Sequence, residues 1–293
     1  AAGLIYVSKI ANPNTSHIEN FVYAHIDVLI AEEMFSEAGK TYSAHKKEMI
    51  TNFKSASFEL NQSITIAAKT KHFPDTKACN VVGMIEGSDP ELKDEVIILG
   101  GHLDGQGYLG ELFPGALDNA SGIANIMAAA KALAKSEIKP KRSVLFVLFG
   151  GEECGLYGSE YYVKNPVFPV EKTVCMVNLD MVGNGTGFYL ANGLTFPELY
   201  KHFTEVNDNW LHRKMQASMQ RKNYGRPRSD ASHFENAGYP TFSLYTSGSI
   251  KTVYYHHPLD NTDALTPEIM EDAAKLLYLT VLRMANNETL KTK

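Results

Sequence analysis

Residues 96–104 read VIILGGHLD and residues 144–153 read VLFVLFGGEE. Each is a short aliphatic and aromatic run that closes on two glycines and then turns polar and acidic. Runs of this length bounded by glycine suit strands buried on both faces, where no polar alternation is needed. Residues 81–85, 174–179 and 241–245 have the same texture. Between such runs the apolar residues recur at helical spacing. Ile123, Ile126, Met127, Ala130, Leu133 and Ala134 form one stripe, and Ile269, Ala273, Leu276, Leu277, Thr280, Val281 and Met284 form another. Strands alternating with helices predict an α/β fold: a mixed, mostly parallel central sheet with helices on both faces.

The first 78 residues differ. Residues 4–7 are strand-like, residues 28–37 form an amphipathic helical stretch, and Phe58, Leu60, Ile64 and Ile66 alternate as in an edge or half-buried strand. This reads as a small α+β segment, 1–78, that precedes a larger domain, 79–293, and it holds no cluster of catalytic residue types.

The chain has 293 residues, 44% of them hydrophobic, enough for a substantial core. Twenty-eight basic against 33 acidic residues leave a net charge of −5 with no block of like charge, which argues against nucleic acid as partner. The apolar runs fall far short of the ~18 residues of a membrane span. The N-terminus, AAGLIYVSK, has no initiator Met and no basic region before its apolar residues, so it reads as neither a gene start nor a signal peptide, and something upstream is expected to have been removed. Of the three cysteines, Cys79, Cys154 and Cys175, the last two lie in or beside apolar segments that suit buried free thiols. No CxxC spacing offers a thiolate metal site, so a metal must be held by His and carboxylates.

In a parallel sheet, function gathers beyond the carboxyl ends of the strands. Strand 96–99 runs into Gly100, Gly101, His102, Leu103 and Asp104; strand 144–149 into Gly150, Gly151, Glu152 and Glu153; strand 174–179 into Asp180. The loop after strand 241–245 carries Tyr255, His256 and His257, and Asp118 sits at the mouth of the helix that follows it. Several carboxylates pressed together in a cleft need cations to stay ionised. Two divalent ions would balance three carboxylates, Asp118, Glu153 and Asp180, plus one hydroxide. One His per ion would leave each with an open position, as a catalytic site requires. Asp104 is placed to orient the His102 imidazole.

The segments GGHLDG (100–105), GALDNASG (115–122), FGGEECGLYGS (149–159), VNLDMVG (177–183), SDASHFENAGYP (229–240) and YYHHPLDNTD (254–263) resemble, in order, the co-catalytic two-zinc exopeptidases. That family includes bacterial leucyl aminopeptidases, glutamate carboxypeptidases, glutaminyl cyclases and the transferrin receptor ectodomain. The resemblance spans roughly residues 80–284. It implies two zinc ions per chain, one held by His102 and Asp180 and one by Glu153 and His256, with Asp118 as the bridge and Glu152 as general base. It also implies that 79–293 is a catalytic zinc-peptidase domain, that 1–78 is the later part of a protease-associated domain, and that the protein is exported to the periplasm or outside.

The resemblance places the ligand on His256 rather than His257, because His256 and Asp260 meet the family spacing. It departs at Ser229-Asp230, where Ala231 stands in place of a His common in relatives. That weakens any role for the segment beyond shaping the pocket. For an oxyanion-stabilising tyrosine, Tyr224 and Tyr255 are both candidates.

The expected activity is hydrolysis of a terminal peptide bond by a water held between the two zinc ions, on a peptide with a free terminus, with aminopeptidase favoured. Cobalt or manganese also suit such ligands. The alternatives are a carboxypeptidase or dipeptidase, with Arg226 and Arg228 as a clamp for a substrate carboxylate, a one-zinc glutaminyl cyclase, and a non-catalytic receptor-like module.

Overall fold

The computed structural model describes residues 26–60, 62–67, 77–108, 110–220 and 228–290. The chain divides into two compact units, Ala1–Thr76 and Lys77–Lys293.

In the first unit the expected helix is present as α1 (Val28–Glu37), started by Asp27, whose side chain accepts the Leu29 amide at 2.7 Å. A second helix, α2 (Tyr42–Asn52), begins where Glu32 of α1 accepts the backbone amides of Tyr42 and Ser43, both at 2.9 Å. A carboxylate there meets the positive end of the helix dipole. The alternating segment through Phe58 and Ile66 is not a strand in the described residues. Phe58 packs edge-on against Phe35 at 5.1 Å, while Ile64 and Ile66 are exposed. Alternation supplies an apolar face, but a strand also needs a neighbour with a free hydrogen-bonding edge, and the described part of this unit contains none. The strand expected at residues 4–7 lies outside the described residues.

The second unit holds a seven-stranded sheet. Its strands are β1 (Val81–Ile85), β2 (Val96–His102), β5 (Ser143–Phe149), β6 (Thr173–Leu179), β7 (Gly187–Ala191), β8 (Lys214–Ala217) and β9 (Thr241–Ser247). A separate hairpin joins β3 (Gly107–Tyr108) to β4 (Leu112–Phe113). The spatial order is β1-β5-β2-β6-β9-β7-β8. The pairs β5–β2, β2–β6, β6–β9 and β7–β8 are parallel, whereas β1–β5 and β9–β7 are antiparallel. All five expected strands are present. The additional β7 and β8 include polar and half-exposed positions that the search for purely apolar runs passes over.

Alternate residues of the central strands feed two cores. Ile97, Leu99, Val144, Val177 and Phe242 pack with α3 (Ser121–Lys135), α5 (Pro197–Val206) and α7 (Pro267–Asn286) on one face. Ile98, Leu145, Phe149 and Met176 pack with Tyr162 of α4 (Tyr157–Lys164) and Phe234 of α6 (Ala231–Asn236) on the other. Strand β1 departs from expectation. It is an edge strand with Val81, Val82 and Met84 about half exposed, because apolar composition does not distinguish the centre of a sheet from its border. On α3, Met127 points outward and Ala129 takes the core position. Cys154 is exposed rather than buried, since it falls in the turn after β5 instead of joining an apolar run, while Cys175 is buried. The buried Arg142 pairs with Glu95 at 2.7 Å and donates to the carbonyls of Asn287 and Leu290 just past α7.

Candidate metal centre

Strands β5, β2 and β6 are adjacent and parallel, so their carboxyl ends open onto one crevice. His102 closes β2, Glu152 and Glu153 lie in the turn after β5, and Asp180 follows β6. Asp118 sits in a single π-turn, Ala116–Ala120, whose backbone breaks from helical geometry at Asp118 and Asn119 just before α3. His256 comes from the loop beyond β9.

These six side chains converge. His102 Nε2 lies 3.1 Å from Asp118 Oδ1 and 3.8 Å from Asp180 Oδ1. His256 Nε2 lies 3.0 Å from Glu153 Oε2 and 3.3 Å from Asp118 Oδ2. The two oxygens of Asp118 thus face the two imidazoles. His102, Asp118 and Asp180 form one group with metal-ligand spacing, Asp118, Glu153 and His256 form a second, and a third joins His102 to Glu152 and Glu153. His257 turns away: its Nδ1 accepts the Leu259 amide at 3.0 Å and its ring leans on Tyr254.

The supports differ in part from those expected. Asp104 meets His102 Nδ1 through its backbone carbonyl, at 3.0 Å, while its carboxylate is 3.9 Å from that nitrogen. The carboxylate instead accepts the backbone amides of Glu152 and Glu153, at 3.1 and 3.2 Å, and so fixes the turn that carries both. Three further residues were not singled out for the site. Asp260 accepts the amides of Leu117 and Asp118, at 2.8 and 3.1 Å. Asn119 donates to the Leu179 carbonyl at 2.9 Å and accepts from Met181 and Gly122. Gln106 donates to Glu153 Oε2 at 2.6 Å. A side chain added at Gly122 would come within 2.3 Å of the Asn119 side-chain oxygen Oδ1 and 2.8 Å of the Leu179 backbone carbonyl oxygen, so this close helix start requires glycine. Asp260 enters the sequence reading only as the spacing marker for His256 and Asn119 only by its presence in a quoted segment, and no sequence signal marks Gln106.

Of the tyrosines, Tyr255 stacks on His256, with ring centroids 3.8 Å apart, and is exposed. Partial burial and the surrounding carboxylates push its hydroxyl up to about 12. Tyr224 and Arg226 lie outside the described residues, and Arg228 is exposed. Asp230 is buried at the start of α6, and burial together with the Asp180 and Asp104 charges raises its carboxyl to about 7. Its proximity contributes, after burial, to the raised carboxyl of Glu152.

Electrostatics sets the protonation of the cluster. Burial opposes charge on His102, but the carboxylates of Asp118 and Asp180 outweigh it and raise the imidazole to about 12. Asp118 is held down at about 2, because the two imidazoles overcome its own burial. His256 is raised to about 9 by its bonds to Asp118 and Glu153. Burial lifts Glu152 to about 8, against the pull of His102 and with help from Asp230, Asp180 and Glu153.

The donor set fits divalent zinc: one imidazole and two carboxylates in each of two groups, without thiolates. A further observation agrees. Glu153 Oε1 is buried and has no protein hydrogen-bond partner, a costly arrangement for a carboxylate oxygen unless a cation faces it.

The sequence signature of Peptidase family M28 matches residues 80–281, which span the whole of this cluster. The chain belongs to that family. It is 29% identical over 170 residues to leupeptin-inactivating enzyme 1 of Streptomyces exfoliatus, covering 57% of this chain and 35% of that protein. It is 28% identical over 236 residues to a maize protein named probable glutamate carboxypeptidase, covering 73% and 31%. Among solved structures, an aminopeptidase from Aneurinibacillus sp. strain AM-1 superposes with a TM-score of 0.60 at 23% identity, covering 73% of this chain and 50% of that one. An M28 peptidase precursor from Shewanella amazonensis superposes at 0.57 with 26% identity, covering 73% and 46%. The chain therefore spans about a third of the length of these two curated relatives. Residues 1–79 lie outside the family match.

Proposed function

We propose that this chain carries the catalytic part of a two-zinc exopeptidase and acts as an aminopeptidase. The observation that carries the reading is the pair of donor groups joined through Asp118. His102, Asp118 and Asp180 would hold one ion, and Asp118, Glu153 and His256 the other. Three protein ligands apiece leave a position open at each, the make-up of a catalytic rather than a closed structural site. Bound ions there would supply Lewis acidity and ease the deprotonation of water. Glu152 belongs to neither of these two groups, yet the turn that fixes Glu153 fixes it as well. Its carboxylate would take the proton from the attacking water and hand it to the departing amine. Tyr255, stacked on His256, would stand beside the polarised carbonyl.

The free terminus read by the site distinguishes the readings. Aminopeptidases among the structural neighbours support the amino end. The carboxypeptidase name of the maize relative supports the carboxyl end as second reading. Peptides blocked at the amino end, at the carboxyl end, or at neither, offered together, separate the two. Release of residues from C-blocked but not N-blocked peptides is expected, and the opposite pattern assigns a carboxypeptidase. Glu152→Gln should keep two metal ions per chain while turnover falls by about 10²–10⁴-fold. Loss of metal together with activity would move Glu152 into the ligand set, and a single zinc with cyclising activity would favour the glutaminyl cyclase alternative.

A further inference from the structure

Gln106 contributes to neither donor group nor to proton transfer, yet among the described residues its side chain lies within hydrogen-bonding distance of a donor carboxylate. It is half-buried at the root of the β3–β4 hairpin. Its Nε2 donates to Glu153 Oε2 at 2.6 Å and lies 3.4 Å from His256 Nε2, while Glu153 Oε2 and His256 Nε2 are 3.0 Å apart. The Glu153 backbone is pinned by Asp104, but that bond leaves the side-chain torsions free. Among the described residues, the hydrogen bond to the Glu153 carboxylate apart from His256 is the Gln106 amide. An amide suits this task, because it donates without bringing a charge that would repel a cation and does not titrate.

We propose that Gln106 is a positioning residue for the metal position of Glu153 and His256. It holds one carboxylate oxygen so that Glu153 meets the ion in a fixed orientation. The inference rests on the reading of Glu153 and His256 as ligands of a second ion.

The test is a cobalt titration of the metal-free full chain, followed by visible absorption, with wild type, Gln106→Met and His256→Ala. Methionine keeps the length of the side chain and removes the N–H. Wild type should show two binding steps, and His256→Ala identifies the step that belongs to this position by losing it. In Gln106→Met that same step should weaken about 10–100-fold, as expected for loss of a partner to a ligand, with the other step unchanged. Equal affinities in both proteins, or equal weakening of both steps, overturns the proposal, as does a metal-free Gln106→Met that melts well below wild type and so marks a general structural role. Uptake of one cobalt ion by wild type overturns the two-ion reading together with this inference, and stoichiometry alone distinguishes that result.

Discussion

His102 and His256 are both held as cations in the metal-free protein by the carboxylates they face, although one is buried and the other only partly so. Zinc binds neutral imidazole, so loading at pH 7 should release roughly two protons from these rings. The heat of binding should then change with the ionisation enthalpy of the buffer. Near pH 10 the release should fall by about one, because His256, raised only to about 9, is by then mostly neutral. A buffer-independent heat at pH 7 would contradict the assignment of both rings. The linkage has the same sign for stability: a folded pKa above the unfolded value stabilises below about 6.5 and is lost as pH rises through 9 and then 12. The adjacent histidines also differ. His256→Ala should lower metal stoichiometry and activity together, measured by elemental analysis and peptide hydrolysis. His257→Ala should retain both, since its ring serves the Leu259 amide.

At the level of elements, the site is a junction of strand ends closed by one side chain. Asn119 reaches the carbonyl that ends β6, the amide of Met181 just beyond it, and the first turn of α3. Asn119→Ala leaves the buried Leu179 carbonyl and Gly122 amide, and the part-buried Met181 amide, without this partner, which is costly for the buried pair. The expected loss is about 3 kcal/mol of unfolding free energy by urea titration. Because Asp118 is the preceding residue, weaker metal binding should accompany it. An unchanged urea midpoint would demote Asn119 to a passive neighbour.

On the scale of the whole molecule, the described site residues and the M28 match all fall within Lys77–Lys293. A chain starting at Lys77 should therefore keep its metal stoichiometry, while its melting temperature or its access to long peptides changes. Complete loss of metal from a soluble, folded truncation would show that the first unit supplies part of the centre.

The sequence alone determined the central strands and the two core-facing helices, because fully buried strands and such helices leave local apolar patterns, although Met127 and Ala134 of the α3 stripe are exposed. It also brought out His102, Glu152, Glu153 and Asp180 just beyond strand runs and Asp118 at a helix mouth, whereas the choice of His256 over His257 and the role of Glu152 came from the family resemblance. Only the tertiary structure decided that 58–66 is not a strand, that β1 is a half-exposed border, and that β7 and β8 extend the sheet. It alone assigned the supports: the Asp104 carboxylate to the Glu152 turn, Asp260 to Leu117 and Asp118 more than a hundred residues away, and Gln106 to Glu153. The physical reason is that burial and periodicity are written in neighbouring residues. A hydrogen bond between distant segments depends on which strand ends the fold brings side by side.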